Sequence, residues 1–499
     1  MNTINKSMLM ACFFLTSLAA HAQDQSDALR YSQHSFGTTA RSLGMGGAFG
    51  ALGADFSSLA INPAGIAVYR RSEFTISPVL EMGNNDVSYL GTSSTDSKGN
   101  FGLGNLGLVL AFPKEKKQSG WKGVSFGFGY NRINTFSKRV TFEGVNMNNS
   151  INNYFAELAN GVDNYTLFND DYYQFDAGLA YKTYLINPTP EDSNYYNPIS
   201  QGGVVKQKGI LSSKGSHGEI DISLGANYDD KIFLGATIGI PYFRYTQTST
   251  LEEYDVDGTI NDTTYLKDFK NSAFTQKLST QGNGVNLKLG IIYKPSDMFR
   301  LGLAVHTPTY YELNDQYSSS LSVDYVGERF NEESPSGNFS YNLMTPFKAV
   351  ASAAVLFQGQ GLISIDYEYL NYKMSRLGSN EFENYFTDVN RTIKNDYSYG
   401  HNLNMGVEYR YKIFAFRAGA ALQSSPYDGK FDFSDGNLSS ISYTGGFGFK
   451  GDNFFLDLGY GYTQFNSYYS PYKLVSGENP LAIVKNTQNR FMMTLGFKF

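Results

Sequence analysis

Apolar and polar residues alternate with a period of two through fourteen segments of this 499-residue chain, each about 10 to 14 residues long, the length that a tilted strand needs to cross a bilayer. Over residues 219–228, Ile220, Ile222, Leu224, Ala226 and Tyr228 fall on one face, and Glu219, Asp221, Ser223, Gly225 and Asn227 on the other. A soluble sandwich of two sheets could show the same alternation, so the connections must decide. The segments are 73–82, 101–112, 122–132, 217–229, 231–246, 282–294, 298–311, 344–357, 361–372, 401–411, 413–424, 440–450, 453–466 and 489–499, and short and long connections alternate between them. The tight ones are 113–120, 229–231, 294–297, 358–360, 411–412 and 450–452; the others run from about 14 to more than 80 residues, rich in Asn, Ser, Asp, Gly and Tyr. That alternation predicts an all-β fold, a 14-stranded antiparallel transmembrane β-barrel with short periplasmic turns, long extracellular loops and both ends in the periplasm. Parity assigns residues 172–186 to the largest excursion, 133–216, with a short helix near 151–160.

The N-terminus names the compartment. Lys6, an apolar run from Met8 to Leu18, and Ala20-His21-Ala22 before Gln23 form a signal peptide over residues 1–22, too short to span a membrane as a helix. Leu9-Met10-Ala11-Cys12 resembles a lipidation box, but the apolar run continues past it. Cys12 is the only cysteine, so cleavage leaves no thiol, disulfide or cysteine-bound metal. The expected location is the outer membrane of a Gram-negative cell. A composition of 38 Tyr, 38 Phe and 51 Gly with one Trp favours strands over helices. Without Lys6 the chain carries 39 Lys and Arg against 46 Asp and Glu, which argues against a nucleic-acid partner.

Residues 23–71 show little alternation and are dense in Gly and Ala, as suits a compact segment packed in a confined space. A barrel of about 14 strands is too wide for side chains to fill, so its lumen needs water or a plug. This segment is read as that plug, and residues 72–499 as the barrel. A nucleotide loop at Gly44-Met45-Gly46 fails because no strand precedes it and no Lys follows in phosphate-binding position. His34, His217, His306 and His401 lie in no nucleophile motif, so no enzyme, cofactor or metal is expected.

The hatch sequence Arg41-Ser42-Leu43-Gly44 through Asn62-Pro63-Ala64-Gly65, the strand starting at Glu73, and the stretch from Phe414 to Pro426 with Arg417 resemble the FadL-type long-chain fatty acid transporters, which include toluene and xylene channels. The resemblance spans nearly the whole mature chain except the loops, whose excursion 133–216 is longer than a typical member needs. It implies passive transport of hydrophobic molecules, long-chain fatty acids first, with capture by loop hydrophobes, passage past a hatch containing Arg41, Gly44, Asn62, Pro63, Ala64 and Gly65, and lateral release where the third strand bends inward. Gly127 and Gly129 are the expected bend. By strand parity Arg132, Lys288, Arg410 and Arg417 face the lumen as partners for a ligand carboxylate, but Asp366, Glu368, Glu408 and Asp457 face it too and favour wall-bracing ion pairs. A general diffusion porin and uptake of an aromatic hydrocarbon or haem are the alternatives. Phe499 reads as the address for the barrel-assembly machinery, and the chain is expected to act as a monomer.

Overall fold

The first barrel strand, β1 (Glu73–Tyr89), is hydrogen-bonded to β2 (Thr92–Pro113) on one side and to the last strand, β14 (Ala482–Lys498), on the other, so the sheet closes on itself. Between them run β3 (Trp121–Thr135), β4 (Val205–Tyr228), β5 (Ile232–Asp255), β6 (Lys267–Tyr293), β7 (Phe299–His306, resuming as Tyr310–Tyr325), β8 (Gly337–Met344, resuming as Phe347–Phe357), β9 (Gly361–Asn371), β10 (Tyr399–Tyr411), β11 (Phe414–Gln423), β12 (Ser440–Lys450) and β13 (Phe454–Tyr469). Every neighbouring pair is antiparallel, and all fourteen segments marked by the alternation are strands. This is a computed structural model; it describes residues 23–114, 120–170, 172–189, 196–198, 203–256, 258, 260–262, 267–427 and 438–499. The signal peptide lies outside the described residues.

Apolar side chains cover the outside of the barrel's lower half. Leu287, Leu289 and Ile291 on β6 and Leu301, Leu303 and Val305 on β7 are exposed, where a soluble sheet would bury them. Aromatic rings flank that band, with Tyr228, Tyr293 and Tyr411 at the turn end and Tyr242, Tyr310 and Tyr399 at the other. Among the described residues no helix is long and apolar enough to cross a membrane.

Several connections expected as loops are strand. β1 and β2 continue to a turn at Leu90 and Gly91, with φ of 44° and 81°, where a loop over 83–100 was expected. Likewise β4 and β5 each reach 24 residues and β6 reaches 27. Above the membrane both faces of a strand can be polar, so the ladder persists after the alternation that betrays it has ended.

The excursion 133–216 is a folded cap. Its short strand Lys138–Asn146 pairs with β4, and after α1 (Gln25–Ser32), α2 (Ala40–Gly44) and α3 (Ser58–Ile61) of the N-terminal segment its own helices are α4 (Ile151–Ala159), α5 (Asn164–Asn169) and α6 (Ala177–Lys182). Phe155, Leu179 and Ile186 of the cap pack with Leu251, Phe274 and Val323 of the extended strands in one buried apolar cluster. Glu253 on β5 accepts from Ile151 N at 2.9 Å and from Gln207 at 2.6 Å, pinning the start of α4 to the wall.

Asp176 accepts from Ala177 N at the start of α6, and burial raises its carboxyl to about 7. A raised folded-state value favours the neutral form, so this stabilisation is complete below the unfolded value of 3.8 and is lost as pH climbs through about 7. The cap is therefore expected to resist limited proteolysis better near pH ~5 than near pH ~8, with Asp176→Asn flattening the difference. Equal cleavage of the parent at both values would refute it.

Candidate functional site

The N-terminal segment runs inside the barrel as three short helices, α1 (Gln25–Ser32), α2 (Ala40–Gly44) and α3 (Ser58–Ile61), then a tight helical turn, Pro63–Val68. It reaches strands around the circumference through backbone groups. Ala40 N donates to Thr494 on β14 at 2.7 Å, Gly46 N to Thr444 on β12 at 3.0 Å, and Gly50 N to Asp366 on β9 at 2.7 Å. His306 on β7 donates to Ile61 O at 2.9 Å, and Arg300 to Leu52 O.

Such contacts need backbones close together, and glycine on both surfaces supplies the room. Gly44 faces Gly446 of β12, their Cα atoms so near that a Cβ on Gly446 would stand 3.2 Å from Gly44. A Cβ on Gly459 of β13 would stand 2.5 Å from Ala40 O, and one on Gly235 of β5 would collide with the Pro63 backbone. The Asn-Pro-Ala-Gly motif has a local account. Asn62 accepts from Ala64 N at 3.1 Å, donates to Gly50 O at 2.6 Å and reaches Ile291 O on β6 at 3.2 Å; Pro63, with no N–H to satisfy, opens the turn. Gly65 leaves space for Ser58 and Gly53, and its carbonyl accepts from Ala54 N at 3.0 Å.

The lumenal cations singled out in the sequence are all paired. Arg417 bonds Glu408 at 2.7 Å and Asp457 at 2.6 Å, and Arg410 bonds Glu408 at 2.7 Å. Arg41 of the hatch joins the same Glu408 at 3.0 Å, so one carboxylate ties hatch to wall. Lys288 is held by Glu219 and, at 2.9 Å, by Asp221; Arg132 lies 3.4 Å from Glu81, which also takes Arg490 at 2.7 Å. These pairings favour wall bracing: pulling away Lys288 or Arg417 would strand the buried Asp221 or Asp457, whereas Glu408 and Glu81 each hold more than one cation.

The third strand leaves the wall later than its glycines suggest. Gly127 and Gly129 are paired on both sides, with Val109 and Gly107 of β2 and with Ser223 and Asp221 of β4. Their missing side chains make room for hatch side chains: a Cβ on Gly127 would stand 3.2 Å from Leu59, and one on Gly129 would stand 2.6 Å from Phe56. The ladder between β2 and β3 stops at Asn105 and Asn131, and a register shift follows between Arg132 and Asn134. Beyond it β3 leans inward, where Ile133 O accepts from Ser35 N of the N-terminal segment at 2.8 Å. The upper stretch of β2 then faces β3 through side chains alone: Asn100 donates to Thr135 Oγ1 at 3.1 Å, and Lys98 donates to Ser213 O on β4 at 2.7 Å. Higher up, Ser94 bonds Thr141 O at 2.5 Å and Asp96 takes Thr141 at 2.6 Å.

A cavity of about 670 Å3 reaches this parting; Lys98, Asn100, Asn134, Thr135 and Lys138 line it together with Phe136, Val140, Leu278 and Val484. A second, of about 220 Å3, lies beside it, sharing Gln33, Asn134, Phe465 and Gln488 and extending to Lys288 and His306. Lys98, Asn100, Thr135 and Lys138 were not legible as site residues, since they occur in stretches that read as polar loop. The buried His217 shares a hydrogen bond of 2.8 Å with Tyr311, and the exposed His401 one of 2.6 Å with Tyr367. Among the described residues no group of three or more His, Cys, Asp or Glu is placed to hold a metal.

A closed barrel with an apolar outer band, an inner segment seated on its wall and a side parting defines an outer-membrane transport protein for hydrophobic compounds. The chain belongs to the family of outer membrane protein transport proteins designated OMPP1/FadL/TodX, whose sequence profile matches residues 220–471. No curated protein matches it by sequence. Among solved structures, a Pseudomonas aeruginosa FadL homologue is 13% identical with a TM-score of 0.58, covering 94% of this chain and 100% of that one. The P. putida toluene transporter TodX is 12% identical with a TM-score of 0.54, covering 94% and 99%. The Ralstonia pickettii toluene transporter TbuX is 14% identical with a TM-score of 0.51, covering 94% and 100%. At these identities the likeness concerns the fold.

Proposed function

We propose that this protein takes up long-chain fatty acids and similar amphiphiles passively, capturing them at the cap, passing them through the lumenal cavities and releasing them sideways between β2 and β3. The observation that carries this reading is that the β2–β3 ladder ends at Asn105 and Asn131, and Asn100 of β2 and Asn134 and Thr135 of β3, beyond that end, line the cavity of about 670 Å3. Below it the hatch occupies the lumen, which speaks against a general diffusion porin. Tyr165, Phe168 and Tyr172 are exposed on the cap and offer an apolar landing surface.

Lateral release has an energetic reason. Each methylene kept out of water is worth about 0.8 kcal/mol, so a long acyl chain gains on the order of 10 kcal/mol by passing from a dry wall into lipid. TodX and TbuX are toluene transporters, but amides, ammonium groups and carboxylates, those of Asp24, Asp27 and Glu81, line this cavity beside its apolar wall, a surface suited to a ligand with a polar head. Uptake of labelled oleate and of toluene should be measured in cells with and without the protein, together with mass spectrometry of what co-purifies. The expected result is oleate uptake above background and an acyl compound in the purified protein. No gain for any hydrophobic compound tried would end the reading.

A further inference from the structure

Charge is arranged differently at the two ends of the barrel. On the extracellular side cations pair with acids across strands, Lys206 with Glu143 at 3.4 Å, Lys208 with Glu252 at 3.6 Å and Arg139 with Asp96 at 3.4 Å. At the turn end Lys114, Lys231, Lys412 and Lys450 are exposed, and among the described residues none has a carboxylate within ion-pair distance. The acids of that end are engaged elsewhere: Asp229 lies 3.9 Å from Lys122 and Asp297 2.6 Å from Lys294, Arg70 holds Asp230, and the buried Glu73 lies 3.6 Å from Lys498, which leaves only Asp452 of the described residues without a cation. Each of the four lysines follows an aromatic residue at a strand end: Lys114 follows Phe112, Lys231 follows Tyr228, Lys412 follows Tyr411 and Lys450 follows Phe449. The Lys412 ammonium stands 5.5 Å from the centre of the Tyr411 ring.

Aromatic rings at strand ends settle at the boundary between acyl chains and head groups, so a lysine just beyond such a ring keeps its stem against the boundary and carries its ammonium into the layer of lipid phosphates. We propose that Lys114, Lys231, Lys412 and Lys450 form a binding rim for anionic phospholipid of the periplasmic leaflet, whose phosphates serve as their counter-ions. The four lie in the β2–β3, β4–β5, β10–β11 and β12–β13 turns, two on each side of the barrel. A protein with an acidic face would need such charges gathered on one side, whereas lipid surrounds the barrel and meets all of them. Each lysine near an anionic surface adds about fivefold to the local preference for charged lipid. The rim acts whatever the barrel carries: it holds the wall at a fixed depth and so sets the level at which the β2–β3 parting opens.

The test uses the purified parent, a variant with Lys114→Gln, Lys231→Gln, Lys412→Gln and Lys450→Gln, the same four changed to Arg, and a control with Lys206→Gln and Lys208→Gln. Each is placed in nanodiscs of equal phosphatidylethanolamine and phosphatidylglycerol, and the lipids retained on release are counted by native mass spectrometry. Heat-modifiable migration on gels reports that each barrel is folded. The parent, the Arg variant and the control are expected to retain phosphatidylglycerol preferentially, while the fourfold Gln variant loses about tenfold or more of that preference. Salt at ~1 M should remove it from the parent as well, since the screening length there falls to about 3 Å. A Gln variant with the parent's preference, or a parent that holds both lipids equally, overturns the rim. Polyglutamate bound by the parent in pure phosphatidylethanolamine discs, with phosphatidylglycerol unpreferred in the mixed ones, would assign the lysines to an acidic protein and overturn the lipid partner.

Discussion

Cysteines placed at Asn100 and Thr135 and joined by a short bifunctional thiol reagent are expected to reduce uptake of every hydrophobic cargo to the level of cells lacking the protein. The two side chains already meet at 3.1 Å across the parting, where the β2–β3 ladder has ended, so a covalent bridge there holds shut the one stretch of that seam without backbone hydrogen bonds. The only natural cysteine, Cys12, falls in the stretch read from the sequence as a signal peptide, so the reagent should find no competing thiol in a chain processed as expected. A reducible linker lets the same cells be measured before and after cleavage, and uptake should return with reduction. Full uptake through the bridged protein would place the exit elsewhere.

The second large effect concerns the hatch. Gly235→Val is expected to turn a protein that is electrically near-silent in planar bilayers into one that passes steady current. A Cβ at Gly235 would collide with the Pro63 backbone, and the wall is a hydrogen-bonded sheet, so the hatch is the partner that must move. Overpacking of this kind costs about 1–3 kcal/mol, enough to shift the seated population by about 5- to 150-fold. Gly445→Val is the control, because a Cβ there has only the Arg417 carbonyl nearby, at 3.9 Å. Silence in Gly235→Val, or equal current in both variants, would mean that the hatch does not seal the lumen.

The glycines show how far sequence could be read. Gly127 and Gly129 are conspicuous in a strand, and a bend is one reason for glycine there; the other is close approach of a second chain segment, and Phe56 and Leu59 of the hatch make that approach. A strand's own residues cannot tell the two apart, since the partner is about 70 residues away in the sequence. The cations follow the same logic. Parity placed Arg132, Lys288, Arg410 and Arg417 toward the lumen, yet for all but Arg410, which pairs with Glu408 on its own strand, the partner acid lies on another strand, and all four are engaged. Lys98 and Lys138 drew no notice because nothing in residues 83–100 or 133–216 alternates strongly, although both stretches carry strand.

By itself the sequence determined the transmembrane barrel and its fourteen strands, because side-chain alternation and turn length are properties of neighbouring residues. Only the tertiary structure decided where β3 leaves the ladder, that the long excursion folds into a cap, and which lumenal charges meet. Those depend on the register of strands distant in the chain and on the fit of the hatch against them, and neither is written in any single segment.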